Sequence, residues 1–200
     1  MIAAIVLAAG ESTRMGTAKA LLPDGQGRHF ITRLLHTFSR AGFAHVTVVT
    51  GRVHEDIVAA TSHVGPRGTT VNFARNLDPS RGQLSSLLIG LDAGARPGTR
   101  AALVTLVDIP FVSVSTVQAV ARAYETTRAR IVRPARGAQH GHPVIFDASL
   151  FAALRAADPA AGAKAVVHAH AADILHVETD DEGAFVDIDT REEYARRVGS

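Results

Sequence analysis

The chain contains no cysteine. Disulfides, a thiolate nucleophile and Cys-ligated zinc or iron–sulfur centres are therefore excluded. Tryptophan is absent too, and aromatic residues make up only 5%. Without aromatics or a basic stripe there is no stacking platform for nucleic acid. Neither sign of charge dominates: 21 Lys and Arg face 19 Asp and Glu, for a formal net charge of +2. That balance argues against a polyanionic partner or a membrane surface. No apolar run is long enough to cross a bilayer, and no positively charged segment precedes the apolar start as in a signal peptide. The expectation is a soluble, cytoplasmic protein. What is present is a 46% hydrophobic chain of 200 residues, enough for one domain over 1–200 with a single sizeable core.

Apolar stretches of strand length alternate with amphipathic helical patterns. Ile2 to Val6, His45 to Thr50, Thr70 to Ala74 and Ala101 to Val107 read as strands. Arg130 to Pro134, Gly141 to Phe146, Asp173 to Val177 and Ala184 to Asp189 read the same way. Between them, Ile31, Leu34, Leu35 and Phe38 fall at i, i+3, i+4 and i+7, the spacing of one buried helix face. Further helices are expected over His54 to Thr61, after Gln83, over Val114 to Thr127, Leu150 to Ala156, Ala160 to Ala171, and Glu192 to Val198 behind a Thr190 cap. The alternation predicts an α/β fold with a mostly parallel sheet and helices on both faces. In such sheets ligands sit beyond the carboxyl ends of the strands.

The first strand runs into Leu7-Ala8-Ala9-Gly10-Glu11-Ser12-Thr13-Arg14-Met15-Gly16-Thr17-Ala18-Lys19. Gly10 and Gly16 permit positive φ and close backbone approach. Amides from about Ala9 to Ser12, joined by the cations Arg14 and Lys19, make a cradle for a polyphosphate. Arg14 suits a forked grip on phosphate oxygens, and Lys19 a point charge on a leaving group. The loop is neither a Walker A motif nor a G-x-G-x-x-G dinucleotide fingerprint.

Asp108 ends the most apolar strand, where a carboxylate is costly unless paired or metal-bound. Facing phosphates, it is a good Mg²⁺ ligand. Asp187 and Asp189, two apart on an expected strand, share a face, so one of them can join Asp108 as a second ligand. Asn76 and Ser85–Ser86 belong to a polar loop before a helix. His142 in Gly141-His142-Pro143 stands where it can touch a substrate. His168 and His170 lie two apart on an expected helix and diverge, which argues against a zinc site. No G-x-S-x-G nucleophile elbow occurs.

Taken together, these motifs resemble the MobA-like nucleotidyltransferases, most of all the molybdenum cofactor cytidylyltransferases. The similarity rests on the Leu7–Gly16 loop with Lys19, on Asn76 with Gly82-Gln83-Leu84-Ser85-Ser86, and on Asp108-Ile109-Pro110, Gly141-His142-Pro143 and Asp187-Ile188-Asp189-Thr190. The resemblance implies a Rossmann-like three-layer α/β/α fold of the nucleotide-diphospho-sugar transferase type. It implies transfer of a nucleoside monophosphate from a nucleoside triphosphate to an acceptor phosphate, with release of pyrophosphate. Leu7, Ala8, Ala9, Gly10, Ser12, Arg14, Lys19, Asn76, Ser85 and Ser86 would bind the nucleotide, with Arg14, Lys19 and Asp108 catalytic. Asp108 with Asp187 or Asp189 would hold Mg²⁺, with Mn²⁺ as the alternative, and His142 and Pro143 would meet the acceptor. Ala9 stands where guanylyl-transferring relatives usually carry glycine, which favours CTP and a molybdopterin-type acceptor, with a molybdoenzyme or its chaperone as a downstream partner. The chain departs from the family in having Val107-Asp108-Ile109-Pro110 for Gly-Asp-Met-Pro and Arg191 for a proline. The alternatives are another phosphorylated acceptor, such as a sugar phosphate or choline phosphate, and a NAD(P)H-dependent reductase of a nicotine-derived pigment.

Overall fold

The computed structural model describes residues 1–10, 15–62 and 69–198. Eight strands form one sheet: β1 (Ile2–Ala8), β2 (His45–Thr50), β3 (Thr70–Arg75), β4 (Ala101–Leu106), β5 (Ile131–Arg136), β6 (Gln139–His140), β7 (Val144–Asp147) and β8 (Ile174–Glu178). The helices are α1 (Phe30–Arg40), α2 (His54–Thr61), α3 (Gln83–Gly94), α4 (Val114–Thr127), α5 (Phe151–Ala156), α6 (Gly162–Ala169) and α7 (Arg191–Val198).

The strand order is β3-β2-β1-β4-β7-β5-β6, with β8 on the other side of β5. β1, β2, β3 and β4 pair in parallel, and β8 runs parallel to β5. β7 is inserted antiparallel between β4 and β5. The sheet is thus mostly parallel, as the alternation predicts. The antiparallel β7 and the two-residue β6 hairpin strand are additions that periodicity does not reveal.

Side chains of β1 alternate between two cores, the period-2 consequence of a pleated strand. Ala4, Val6 and Ala8 pack with α1 residues Phe30, Leu34, Leu35 and Phe38 on one face. Ile5 and Leu7 pack with Leu84, Leu87 and Leu91 of α3 on the other. The four residues expected on the buried face of α1 are fully buried. Helix α3 lies very close to the sheet: a Cβ at Gly90 would sit 2.6 Å from Cγ2 of Ile5. That contact sets α3 flat on the sheet and brings its start over the strand ends.

From β1 the chain proceeds to β2 on one side and later returns to β4 on the other. The carboxyl edge between β1 and β4 is therefore the point where the strand order reverses, the crevice where α/β sheets bind ligands. Leu7 lies opposite Leu106 in register, and the Val107 amide donates to Leu7 O at 3.0 Å. Ala8–Gly10 and Val107–Asp108 leave the sheet side by side.

One expected strand is not a strand. After a short 3₁₀ turn at Glu182–Ala184, the segment up to Asp189 joins no strand of the sheet. Its polar groups are taken by loops. Asp181 accepts from the Ser113 amide (2.8 Å), Thr116 Oγ1 (2.6 Å) and the Gly183 amide (3.1 Å). The His142 amide donates to Ala184 O, and the Ile188 amide to Asp108 O, each at 2.8 Å. The alternation in Ala184–Asp189 reflects an extended strap that buries Ala184 and Ile188 while crossing the ends of the strands. The capping of α7 is as expected: Thr190 Oγ1 accepts from the Glu193 amide at 3.2 Å, and Glu193 Oε2 accepts from the Thr190 amide at 2.8 Å, a reciprocal capping box.

Candidate active site

The strap brings together residues 170 positions apart. The Ile188–Asp108 main-chain bond sets Asp189 beside Asp108, and Lys19 reaches between them from the opening loop. Lys19 Nζ donates to Asp108 Oδ2 at 3.0 Å and also to Asp189 Oδ1. Burial alone would lower the Lys19 pKa; the hydrogen bonds and negative charges of Asp189 and Asp108 outweigh it and raise the pKa above its ordinary value.

Two carboxylates share this one ammonium. Among the described residues, the buried Asp108 Oδ1 has no hydrogen-bond partner. A buried carboxylate oxygen without a donor is expensive. It has the chemistry of a ligand for a hard cation, which takes oxygen donors and completes its shell with water and phosphate. The residues therefore fit a divalent metal held by Asp108 and Asp189. Among the described residues no group of three or more His, Cys, Asp or Glu is placed to hold a metal ion. Asp187 lies near enough to His142 to act on it electrostatically.

Around this cluster lies a cavity of about 240 Å³, lined by Leu7, Ala8, Ala9, Gly10, Lys19, Pro79, Gly82, Gln83, Ser86, Asp108 and Asp189 among others. Of the two glycines that permit positive φ, Gly16 adopts it, at 67°, and Gly10 does not. Gly10 lines the cavity, and a Cβ there would meet no atom of the described residues within 4 Å. Across the cavity stands the start of α3. Gly82 occupies its N-cap with φ 88° and without a side-chain cap, and Gly82, Gln83 and Ser86 of this first turn line the cavity, which sets the kind of helix terminus that binds anions on its wall.

Asn76 and the serines divide. Asn76 is buried, and its Nδ2 donates to Ser85 Oγ and Ser86 Oγ, both at 2.9 Å. It braces the loop after β3 against the first turn of α3. Of the three residues, only Ser86 lines the cavity. His142 lines a second, larger cavity that shares Leu7, Gly82, Gln83 and Leu106 with the first. Burial lowers its pKa, partly offset by its bond to Val104 O (Nδ1 to O, 3.4 Å) and the charges of Asp108 and Asp187. Pro143, joined to His142 by a cis peptide, is buried and lines neither cavity. Ser12 and Arg14 lie outside the described residues.

Two supports escape sequence reasoning. Asp24, in the turn sequence Asp24-Gly25-Gln26-Gly27, has a fully buried side chain. It accepts from the amides of Gln26 (2.9 Å) and Arg28 (3.1 Å), from Arg28 Nε (3.0 Å) and from Arg33 Nη1 (3.2 Å). Burial pushes its pKa up, but these donors outweigh that and hold it below the ordinary carboxylate value. Arg33 Nε in turn donates to Pro110 O at 3.1 Å, tying α1 to the loop that carries Asp108. A second support is Gly183, where a Cβ would lie 2.1 Å from Phe111 O. Only glycine lets the strap pass there.

Comparison with known proteins decides the family. The MobA-like NTP transferase domain matches residues 4–174. The chain belongs to that family. Its relatives include proteins of Mycobacterium tuberculosis and Mycobacterium bovis named probable molybdenum cofactor guanylyltransferase, 31% identical over 150 residues, which cover 74% of this chain and 69% of theirs. Among solved structures, the Rv0371c protein of M. tuberculosis superposes with a TM-score of 0.80 at 25% identity, over 100% of this chain and 99% of that one. A nucleotidyl transferase from Methanothermobacter gives 0.79 at 26% identity, covering 98% and 95%. A manganese complex of Rv0371c gives 0.74 at 24% identity, covering 100% and 98%. The MobA-type chain is thus a nucleotidyltransferase with the nucleotide-diphospho-sugar transferase fold. No helix among its described residues is long and apolar enough to cross a membrane.

Proposed function

We propose that this MobA-like enzyme transfers a nucleoside monophosphate from CTP or GTP to the phosphate of a molybdopterin-type acceptor, with Mg²⁺ or Mn²⁺ at Asp108 and Asp189. An oxygen of the acceptor phosphate attacks the α-phosphorus in line. The new P–O–P bond forms as the bond to the β-phosphate bridging oxygen breaks, and pyrophosphate leaves with that electron pair. The observation that carries this reading is the orphaned Asp108 Oδ1 beside Lys19 and Asp189, in a cavity with the small-residue loop on one wall and the start of α3 on another. A bound divalent cation supplies charge neutralisation to the triphosphate and the departing pyrophosphate. Lys19 adds a positive charge to the same end of the substrate, and the α3 amides hold phosphate oxygens by hydrogen bonds. The second cavity, which shares Leu7 and Leu106 with the first, is read as the acceptor side, with His142 on its wall.

Two observations bear on the base. Ala9 is buried on the cavity wall, and Gly51 presses on it so closely that a Cβ there would lie 2.6 Å from Ala9 O. A wall that cannot retreat, bearing a methyl group where the family resemblance places a glycine in most guanylyl-transferring members, favours the smaller base and CTP. The names of the mycobacterial relatives favour GTP. Thermal shift with CTP, GTP, ATP, UTP and NADPH, each with and without Mg²⁺, separates the readings. Metal-dependent stabilisation by CTP or GTP is expected; stabilisation by NADPH alone would overturn the transferase reading.

A further inference from the structure

The second cavity, about 680 Å³, is of two chemical kinds. Leu84, Leu87, Val104, Leu106, Val144 and Phe146 give it an apolar floor. Arg133, His140, His142, Lys164 and His168 stand around it, and among the described residues no Asp or Glu lines it. Arg133 and Lys164 are its two fixed cations, with no described acid on its wall to offset them, in a chain whose charges nearly balance. A cavity so lined recognises an amphipathic anion.

Arg133 is the unusual member. It sits within β5, between the fully buried Ile131 and Val132 and the buried Ala135. Its Nε is buried and, among the described residues, has no hydrogen-bond partner. Among the described residues none forms an ion pair with it, while its neighbours are themselves basic. His176 lies opposite it in register on β8. His140, whose ring is 4.9 Å from that of His176, feels the charge of Arg133, which together with burial lowers the His140 pKa. A guanidinium cannot shed its proton to escape such a place. A buried N–H of a charged group without an acceptor is retained at a cost that a ligand can remove. The planar fork is matched to an oxyanion or other delocalised anionic group.

Arg133 lines the second cavity and not the first, where Lys19 and Asp108 define the place of the reacting phosphates. We propose that Arg133 selects the acceptor by gripping a second anionic group, remote from the phosphate that reacts, so that the preferred acceptor is an elongated molecule with an apolar or aromatic middle and negative charge at both ends. The assignment rests on reading the second cavity as the acceptor side. It gives a site to which monophosphates lacking the second charge bind poorly.

The test uses a probe that needs no turnover. 8-Anilinonaphthalene-1-sulfonate carries an aromatic body and one anionic group; N-phenyl-1-naphthylamine is the same body without the charge. The native protein should bind the sulfonate at least tenfold more tightly than the neutral amine. Arg133→Gln and Arg133→Met should each remove most of that preference, and Arg133→Lys should restore part of it, with the thermal midpoint unchanged or raised. Affinity for CTP or GTP with Mg²⁺ should not change in any variant. In turnover, the acceptor KM should rise at least tenfold in Arg133→Gln with the nucleotide KM unchanged. Equal binding of the two probes by the native protein, or a preference that survives in folded Arg133→Gln or Arg133→Met, would overturn the assignment. Absence of turnover in the native protein alongside an Arg133-dependent probe preference would instead count against the transfer reaction alone.

Discussion

Replacing Asp108 with asparagine separates chemistry from folding. The substitution keeps the volume of the side chain at the end of β4 and removes its charge. On the stability side the effects nearly cancel. The Lys19–Asp108 arm, with side chains 13% and 23% exposed, contributes about 1 kcal/mol. Against this, the native site leaves a charged oxygen buried without a donor, and neutralising it recovers a desolvation cost of about 1–3 kcal/mol. Lys19 keeps its bond to Asp189, so the ammonium is not stranded. The net change is expected to fall within about 1 kcal/mol, a shift in thermal midpoint of no more than about 4 °C for a chain of this size. On the activity side, one of two carboxylates available to the metal is lost, together with the charge that draws the metal in. A loss of about 4 kcal/mol of transition-state stabilisation corresponds to a roughly thousandfold fall in kcat. Pyrophosphate release at saturating nucleotide, titrated with Mg²⁺ and Mn²⁺, measures it alongside differential scanning fluorimetry. Turnover within tenfold of the native enzyme would refute the role of Asp108. A drop of about 10 °C or more would refute the claim that its carboxylate is kept for chemistry rather than for the fold.

Gly183→Ala should force the strap away from Phe111 O, cost about 1–3 kcal/mol as an overpacking change, and lower kcat by displacing Asp189; an unchanged thermal midpoint would contradict the tight passage. Asp24→Asn should destabilise by about 2 kcal/mol at neutral pH. Because the folded carboxyl titrates below its unfolded value, its contribution is complete above the unfolded pKa and is lost as pH falls through the folded one. The gap between native and variant, followed by urea unfolding, should hold steady at pH 6–8 and narrow in acid; a gap that widened in acid would contradict it. Gly10→Val should fill the small-residue wall of the first cavity and weaken nucleotide binding at least tenfold by calorimetry, since a Cβ there meets no atom of the described residues and would project into the cavity that Gly10 lines; unchanged nucleotide affinity would contradict it.

Much of the site is legible in the sequence because its parts are local. The apolar run into Ala8-Ala9-Gly10, the end of a buried strand at Asp108 and the amphipathic α1 each announce themselves by period or by a breach of it. What sequence hides is long-range. Ala184–Asp189 carries the alternation of a strand, yet its hydrogen bonds go to Asp108 and His142. Asp189 does stand beside Asp108, both accepting from Lys19, but it arrives there on a strap and not on the strand face expected of Asp187 and Asp189. The turn sequence around Asp24 gives no sign of its burial, which only the approach of Arg28 and Arg33 makes tolerable. Arg133 is seen in the sequence only as part of a strand, because a guanidinium left without an acceptor is not something a pattern of residues can announce. Asn76 and Ser85 stand in a polar loop that suggests ligand contact, whereas their bonds are to each other and to the chain.

The central claim is that the Asp108–Lys19–Asp189 cluster serves transfer of a nucleotidyl group. The direct measurement is incubation of the enzyme and Mg²⁺ with CTP or GTP labelled at the α-phosphorus, with and without molybdopterin. The account predicts that label passes to the acceptor with one pyrophosphate released per transfer, and that both depend on Asp108. Pyrophosphate released without labelled acceptor, or no transfer from either nucleotide, would contradict it.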